Sequence, residues 1–379
     1  MPNKETNDRR ISPKAPRHLR VAVWIGLSDK KCMEKLRGLD ASDHVAEGIL
    51  FRRYPLPGLT KFRQVCPPHW MRGSMIFSHL YALFLTPLVC LRFRPDVCIA
   101  ISLLPHSIFA KIGQLFGGGK FMAWFIGTDL YFQLIRPSWR AVLGPLLRNA
   151  SCTMTQGNVS GQMLVDFGWS AKRTVVGRNA YDLRQYRPSD GPKEWDLIYT
   201  GRFDPEHKRL DILLNAVDLA RQELPGLRCA LVGDGPQWRD LQKMTDALSL
   251  RDHVQFLGHQ SDVAAVLRNS KVFIMTSAWE GLPASLVEAF VCGLPAILSP
   301  VSDIPDLAIH MENSILIETQ DPKDYAEAIV HILTDHVLRK RLACNALITG
   351  SAIRDETSGA NLSNRWDQAL AVAFGPPSR

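Results

Sequence analysis

Glu280 and Glu288, eight positions apart, are the residues whose type and spacing point most directly to chemistry in this 379-residue sequence. They lie in WEGLPASLVEAFVCGLP, residues 279–295, where an apolar segment leaves through a Gly-Leu-Pro turn and the pattern turns helical near Ala284. A helix start presents unpaired N–H groups and the positive end of its dipole, so Ala284, Ser285 and Leu286 offer donors to an anion, while Pro283 has none to give. Carboxylates flanking such a site accept hydrogen bonds from sugar and ribose hydroxyls. Gly281 and Leu282 belong to the same loop and join the ligand-binding set. Taken singly, either glutamate reads as well as a solvated acid or an early-turn Glu; their shared context selects binding.

Two further loops carry compatible groups. In YTGRFDPEHKRL, residues 199–210, Gly201 permits close backbone approach, and Arg202 and Lys208 can hold a diphosphate, one by a planar fork and one as a point charge. In LVGDGP, residues 231–236, Gly233 marks another strand exit, which a plain turn explains almost as well as a nucleotide lying over a sheet edge.

Such loops need strands behind them. Short apolar segments rich in β-formers alternate with longer stretches of helical period, the pattern of parallel α/β architecture. The expected strands are 20–25, 97–101, 121–125, 151–155 and 174–176, then 196–200, 228–232, 254–256, 272–275, 296–299 and 314–317. The Pro/Gly-rich polar stretch 188–195 divides the two sets. The expected organisation is a polar tail at 1–18, a Rossmann-like domain at 19–187, a linker at 188–195 and a second Rossmann-like domain at 196–354. A last helix at 355–379, with apolar Leu362, Trp366, Leu370 and Val372, is free to pack on either domain, including back on the first.

These three loops, in this order, resemble the nucleotide-sugar-binding domain of the retaining glycosyltransferases of family 4 (glycosyl transferases group 1). The resemblance covers about residues 196–320 and continues more faintly through VVGRNAYD, residues 175–182, and Gly127-Thr128-Asp129. It implies the GT-B fold, two Rossmann-like domains facing each other across a cleft. It also implies that Arg202 and Lys208 hold the donor diphosphate, Glu288 the ribose hydroxyls and Glu280 the hydroxyls of the transferred sugar. The leaving diphosphate would then help deprotonate the acceptor on the same face of the sugar, so that configuration is retained by positioning and charge stabilisation. The family pattern is departed from at Gly26, which stands without a second glycine, at Ile126 before Gly127, at Ala180 and at Arg209, where Gly often follows the Lys.

In the first half, Asp129 follows an expected strand and either orients a sugar or acceptor hydroxyl or N-caps the next helix. His106 follows another strand and either donates to the sugar or diphosphate or serves structure. No Asp-x-Asp occurs, so metal-independent transfer without a bound cofactor is expected, a nucleoside-diphosphate sugar being the donor substrate. A nucleotide-sugar epimerase or hydrolase, or a non-catalytic nucleotide-sugar-binding protein, is the alternative on the same fold.

Charge and composition bound the partners. The net charge is +8, with 22 Lys and Arg against 9 Asp and Glu in residues 1–150 and an excess of acids after that. No Arg/aromatic cluster or known module accompanies the basic half, so nucleic acid is not expected. Eight scattered cysteines without a C-x-x-C pair read as buried thiols of a cytoplasmic protein, and residues 1–20 lack the apolar core of a signal peptide or anchor. The apolar run 75–91 contains Ser78, His79 and Pro87, which suits a core or interfacial helix better than a bilayer span. Within residues 54–94, Lys61, Arg63, Arg72, Arg92 and Arg94 surround that run, so peripheral contact with an anionic membrane is expected beside a glycan or lipid-linked acceptor.

Overall fold

The computed structural model describes residues 18–127, 129–134 and 136–375. The expected tail at 1–18 lies, except for His18, outside the described residues, and so does Thr128. The chain forms two compact units. Residues 1–155, 161–180 and 362–379 make the first, and residues 156–160 and 181–361 the second.

The first unit holds β1 (Leu19–Ile25), β2 (Val45–Phe51), β3 (Phe62–Val65), β4 (Val97–Ile101), β5 (Lys120–Trp124), β6 (Cys152–Thr155) and β7 (Thr174–Val176), in the order β3-β2-β1-β4-β5-β6-β7. Every pairing is parallel. Alternate residues of β1 enter separate cores, Val21, Val23 and Ile25 on one face and Ala22 and Trp24 on the other, as a sheet covered by helices on both faces requires. β2 and β3 are additional to the strands expected from sequence. Glu47 and Gly48 interrupt the apolar run of β2, and β3 is a short, half-polar edge strand. Gly48 leaves room for Phe62 across the pair, whose ring would lie 2.4 Å from an added Cβ.

The second unit holds β8 (Trp195–Thr200), β9 (Cys229–Val232), β10 (Val254–Gly258), β11 (Ser270–Met275), β12 (Ala296–Leu298) and β13 (Ser314–Leu316), in the order β10-β9-β8-β11-β12-β13. It too is parallel throughout. Both units are therefore Rossmann-like. In each the strand order reverses beside the first strand, between β1 and β4 and between β8 and β11, and loops leaving the carboxyl ends there border a crevice.

Two boundaries differ from the expectation. The chain enters the second unit at residue 181, ahead of the 188–195 stretch, because Tyr181 and Leu183 are already buried in the second core. The stretch is a surface loop of that unit, fastened by Lys193 Nζ donating to the Ser189 carbonyl at 2.8 Å. At the other end, residues 355 and 356 complete the helix His336–Glu356, and the last helix is Asn364–Phe374. Its Trp366, Ala369 and Leu370 are buried in the first unit, with Trp366 Nε1 donating to the Lys35 carbonyl at 2.8 Å.

Candidate functional site

The exit from β8 is shaped by close backbone packing. Gly233, at φ 138°, lies over Gly201 so closely that a Cβ would sit 1.8 Å from the Gly201 carbonyl oxygen. Gly233 is thus needed by the fold itself, and a Cβ on Gly201 would meet the Tyr199 hydroxyl at 2.7 Å, whatever approaches them. Beyond them Arg202 is exposed, and no carboxylate pairs with it among the described residues. Asp204 caps the short helix Pro205–Lys208 by accepting the His207 N–H at 3.1 Å. The chain then turns back through Arg209 in the left-handed conformation, φ 49°, which explains why glycine suits this position. Here arginine occupies it, its guanidinium 2.9 Å from Asp211.

This turn is tied to the exit of β11. Thr276 Oγ1 donates toward the Lys208 and Arg209 carbonyls at 3.1 and 2.8 Å, and Ala278 N–H donates to the His207 carbonyl at 2.9 Å. Lys208 is thereby brought to Glu280, and the two form a direct ion pair. Glu280 is 5% exposed; Ser277 Oγ donates to its Oε1 at 2.7 Å, and its own N–H donates to Ser302 Oγ at 3.0 Å. His207 Nε2 stands 3.4 Å from the other carboxylate oxygen. Its ring lies flat on the Trp279 indole, with centroids 3.6 Å apart and planes 3° from parallel. Burial alone would raise the Glu280 pKa, but Lys208 and His207 outweigh it and hold the carboxyl at about 2.

The helix expected near Ala284 is Ala284–Val291, with Pro283 at its cap position. No acceptor takes the Ala284 and Ser285 N–H groups among the described residues. Leu286, expected as a third donor, is already engaged, giving its N–H to the Pro283 carbonyl at 3.2 Å. Leu282 places its side chain in the core, so only its backbone is left to meet a ligand; Gly281 is half-buried beside it. Glu288 is 7% exposed on the helix, where the Tyr186 hydroxyl hydrogen-bonds to it. Burial first, then Glu288, pushes that phenol well above its ordinary range.

The first unit presents its own set at the β1/β4 reversal. Gly26 leaves β1 against the ring of His106, whose Cε1 would lie 2.7 Å from an added Cβ. The imidazole Nδ1 is buried without a hydrogen-bond partner, and burial, with His79 adding to it, pulls the His106 pKa down to about 4. Asp129 does not cap the helix Pro137–Arg148. It is 1% exposed at the start of the π-helix Asp129–Leu134, and its carboxylate accepts the Ile126 N–H at 2.9 Å. It also takes hydrogen bonds from the Leu103 N–H and the Ser102 side chain, which makes it a clamp between the loops after β4 and β5. Burial raises its pKa to about 6 despite those bonds.

Residues that sequence reasoning missed surround both sets. His207 and Trp279 lie within motifs already singled out, so their position there was the available signal, whereas Tyr186 lies outside them. Ser277 and Ser302 carry no such signal. Nor does Lys35, which is buried, bonds Asn179 Oδ1 at 2.9 Å and stands 3.9 Å above the Trp124 ring. Among the described residues no group of three or more His, Cys, Asp or Glu is placed to hold a metal ion.

Residues 185–347 match the family described as glycosyl transferases group 1. The sequence is 31% identical over 205 residues to the lipopolysaccharide core biosynthesis glycosyltransferase LpsE of Rhizobium meliloti, covering 52% of this chain and 58% of that protein. It is 30% identical over 175 residues to an Escherichia coli UDP-Gal:alpha-D-GlcNAc-diphosphoundecaprenol alpha-1,3-galactosyltransferase, covering 42% of this chain and 45% of that one. The chain thus spans about half the length of these curated relatives. Among solved structures, Anabaena Alr3699/HepE in complex with UDP superposes with a TM-score of 0.75 at 16% identity, covering 93% of this chain and 100% of that one, a likeness of fold.

Proposed function

We propose, from the match of residues 185–347 to the glycosyl transferases group 1 family, that the chain moves a sugar from a nucleoside-diphosphate sugar to a hydroxyl of a glycan or lipid-linked glycan. The product would be a lipopolysaccharide, polysaccharide or related glycoconjugate, a reading supported by the relatives' names. The protein's thiols, eight of them unpaired and six of those buried, fit a cytoplasmic site of action.

One observation carries the reading: the buried Lys208–Glu280 pair at the β8/β11 reversal, beside a loop that also bears the unpaired Arg202. A diphosphate arriving there meets Arg202 and draws Lys208 from Glu280, freeing that carboxylate for the hydroxyls of the transferred sugar. Glu288, held by Tyr186, receives the ribose. In the transfer, the bond from the anomeric carbon to the diphosphate oxygen breaks and the bond to the acceptor oxygen forms on the same face. The acceptor proton passes to the departing diphosphate. Charge grows on that group as it leaves, and the fixed cations stabilise it most in the transition state. His106, its pKa lowered to about 4 by burial, is neutral at pH 7 and is the first unit's candidate hydrogen-bonding group. Asp129 acts through the loops it clamps.

A thermal-shift screen against UDP-, GDP-, ADP- and dTDP-sugars, followed by donor consumption with and without acceptor, tests this. A cognate donor at 100 times its dissociation constant stabilises by about 2.7 kcal/mol. The absence of a shift with every donor sinks the reading, and rapid consumption without acceptor replaces it with an epimerase or hydrolase.

A further inference from the structure

The helix Met75–Phe93 is inverted relative to a helix that covers a sheet, which buries its apolar stripe and leaves its polar side in water. Here Ile76, Leu80, Phe84 and Leu88, spaced by four, form an outward stripe and are 70, 40, 75 and 64% exposed. The inward positions are more polar. Thr86 accepts Trp24 Nε1 at 3.0 Å, Ser78 Oγ donates to the Ser74 carbonyl at 2.9 Å, and Cys90 is buried. By length and composition the helix could cross a membrane, and only a minority of it is buried. Trp70, just before it, is 74% exposed, and Leu115, near the end of the adjacent helix His106–Gly117, is 80% exposed. Such exposed apolar side chains call for a cover.

Charge decides what covers it. Between residues 48 and 128 the sequence has nine Lys and Arg against one carboxylate, Asp96. That carboxylate already accepts the Arg20 N–H at 2.8 Å. Arg92 and Arg94, at the helix's end, are exposed, and no carboxylate pairs with either among the described residues. A second copy of the chain, docked through the same face, would bring together two surfaces with the same excess of cations. Residues 1–17 are the wrong cover too, with five Lys and Arg against two acids and no apolar stretch. An apolar stripe with a cationic end fits a bilayer surface of anionic lipid, acyl chains meeting the stripe and headgroups the arginines.

We propose that the Met75–Phe93 helix docks the first unit onto an anionic lipid bilayer, lying in its surface with Phe84 and Leu88 in the acyl boundary. It lies on the bilayer and does not cross it, because Ser78, Thr86 and Cys90 stay packed inward. Flotation of the full-length protein, without donor or acceptor, tests this independently of any transferase activity. The protein rises with phosphatidylcholine vesicles containing phosphatidylglycerol, stays behind with phosphatidylcholine alone, and is released as salt approaches about 0.5 M. Each interfacial cation is worth roughly fivefold in partitioning, so Arg92→Glu with Arg94→Glu lowers binding at least about twentyfold. Phe84→Asp with Leu88→Asp abolishes it, and both variants keep the wild-type thermal transition because the positions are exposed. No flotation at low salt, undiminished flotation of either variant, or a wild-type dimer that Phe84→Asp/Leu88→Asp dissociates each overturns the proposal.

Discussion

Lys208 and Glu280 neutralise one another in a nearly dry setting, and such a pair separates only when a better partner reaches one of them. In the proposed transfer a diphosphate would be that partner for Lys208, its charge growing as the sugar leaves. Lys208→Ala should therefore lower kcat/KM by roughly two powers of ten or more, about 2.7 kcal/mol, in steady-state assays of the folded variant. Near-normal turnover would remove Lys208 from the diphosphate site. If side-chain cations then do the work of a divalent metal, activity should survive EDTA; complete loss, restored by Mg²⁺ or Mn²⁺, would refute that. The two glutamates should also part company. Glu288→Gln is expected to weaken the bare nucleoside diphosphate and the intact donor alike, because ribose is present in both, while Glu280→Gln mainly weakens the intact donor. Calorimetric titration with both ligands reads the difference, and equal weakening of the bare nucleotide by the two variants would contradict the division.

At the scale of elements, the loops after β8 and β9 hold their shape by contact between Gly201 and Gly233. Gly233→Ala would impose a strained φ of 138° and drive a methyl onto the Gly201 carbonyl, which lies 1.8 Å from the Cβ position. Destabilisation of about 3 kcal/mol or more is expected in denaturant unfolding. Gly226→Ala, with nothing within 4 Å, serves as the comparison and should change stability by less than about 0.5 kcal/mol. Strands buried on both faces were legible in the sequence because their apolar runs are continuous, as in β4 and β11. β2 and β3 were not, since Glu47, Gly48 and a half-polar edge strand erase that signal. Glu280, Glu288, Arg202 and Lys208 stood out by spacing within one motif family. Lys35, Ser302 and the inward carboxylate of Asp129 depend on contacts between distant segments, which no local pattern encodes.

For the whole molecule, the chain's return to its first unit matters as much as either sheet. After the second core closes, the Asn364–Phe374 helix lays Trp366 edge-on against Trp124, with ring centroids 5.0 Å apart, and covers the face of the first sheet that also holds Val23 and Ile99. The Leu362 carbonyl would lie 2.5 Å from a Cβ on Gly38, so the helix Asp29–Ala41 is shaped for this closing segment. Burying Trp366 and Leu370 is worth about 1.5–3 kcal/mol each, a large share of the 5–15 kcal/mol that holds a domain together. Deleting residues 362–379 also strips the Lys35 carbonyl of its indole donor and opens the buried Lys35 site to water. The truncated chain should therefore lose the first unit while residues 181–361 keep their own core. Limited proteolysis should yield a protected fragment from the second unit alone, with first-unit peptides released early. A truncated chain that resists protease along its whole length and melts at the full-length temperature would show that the first sheet folds without its closing helix.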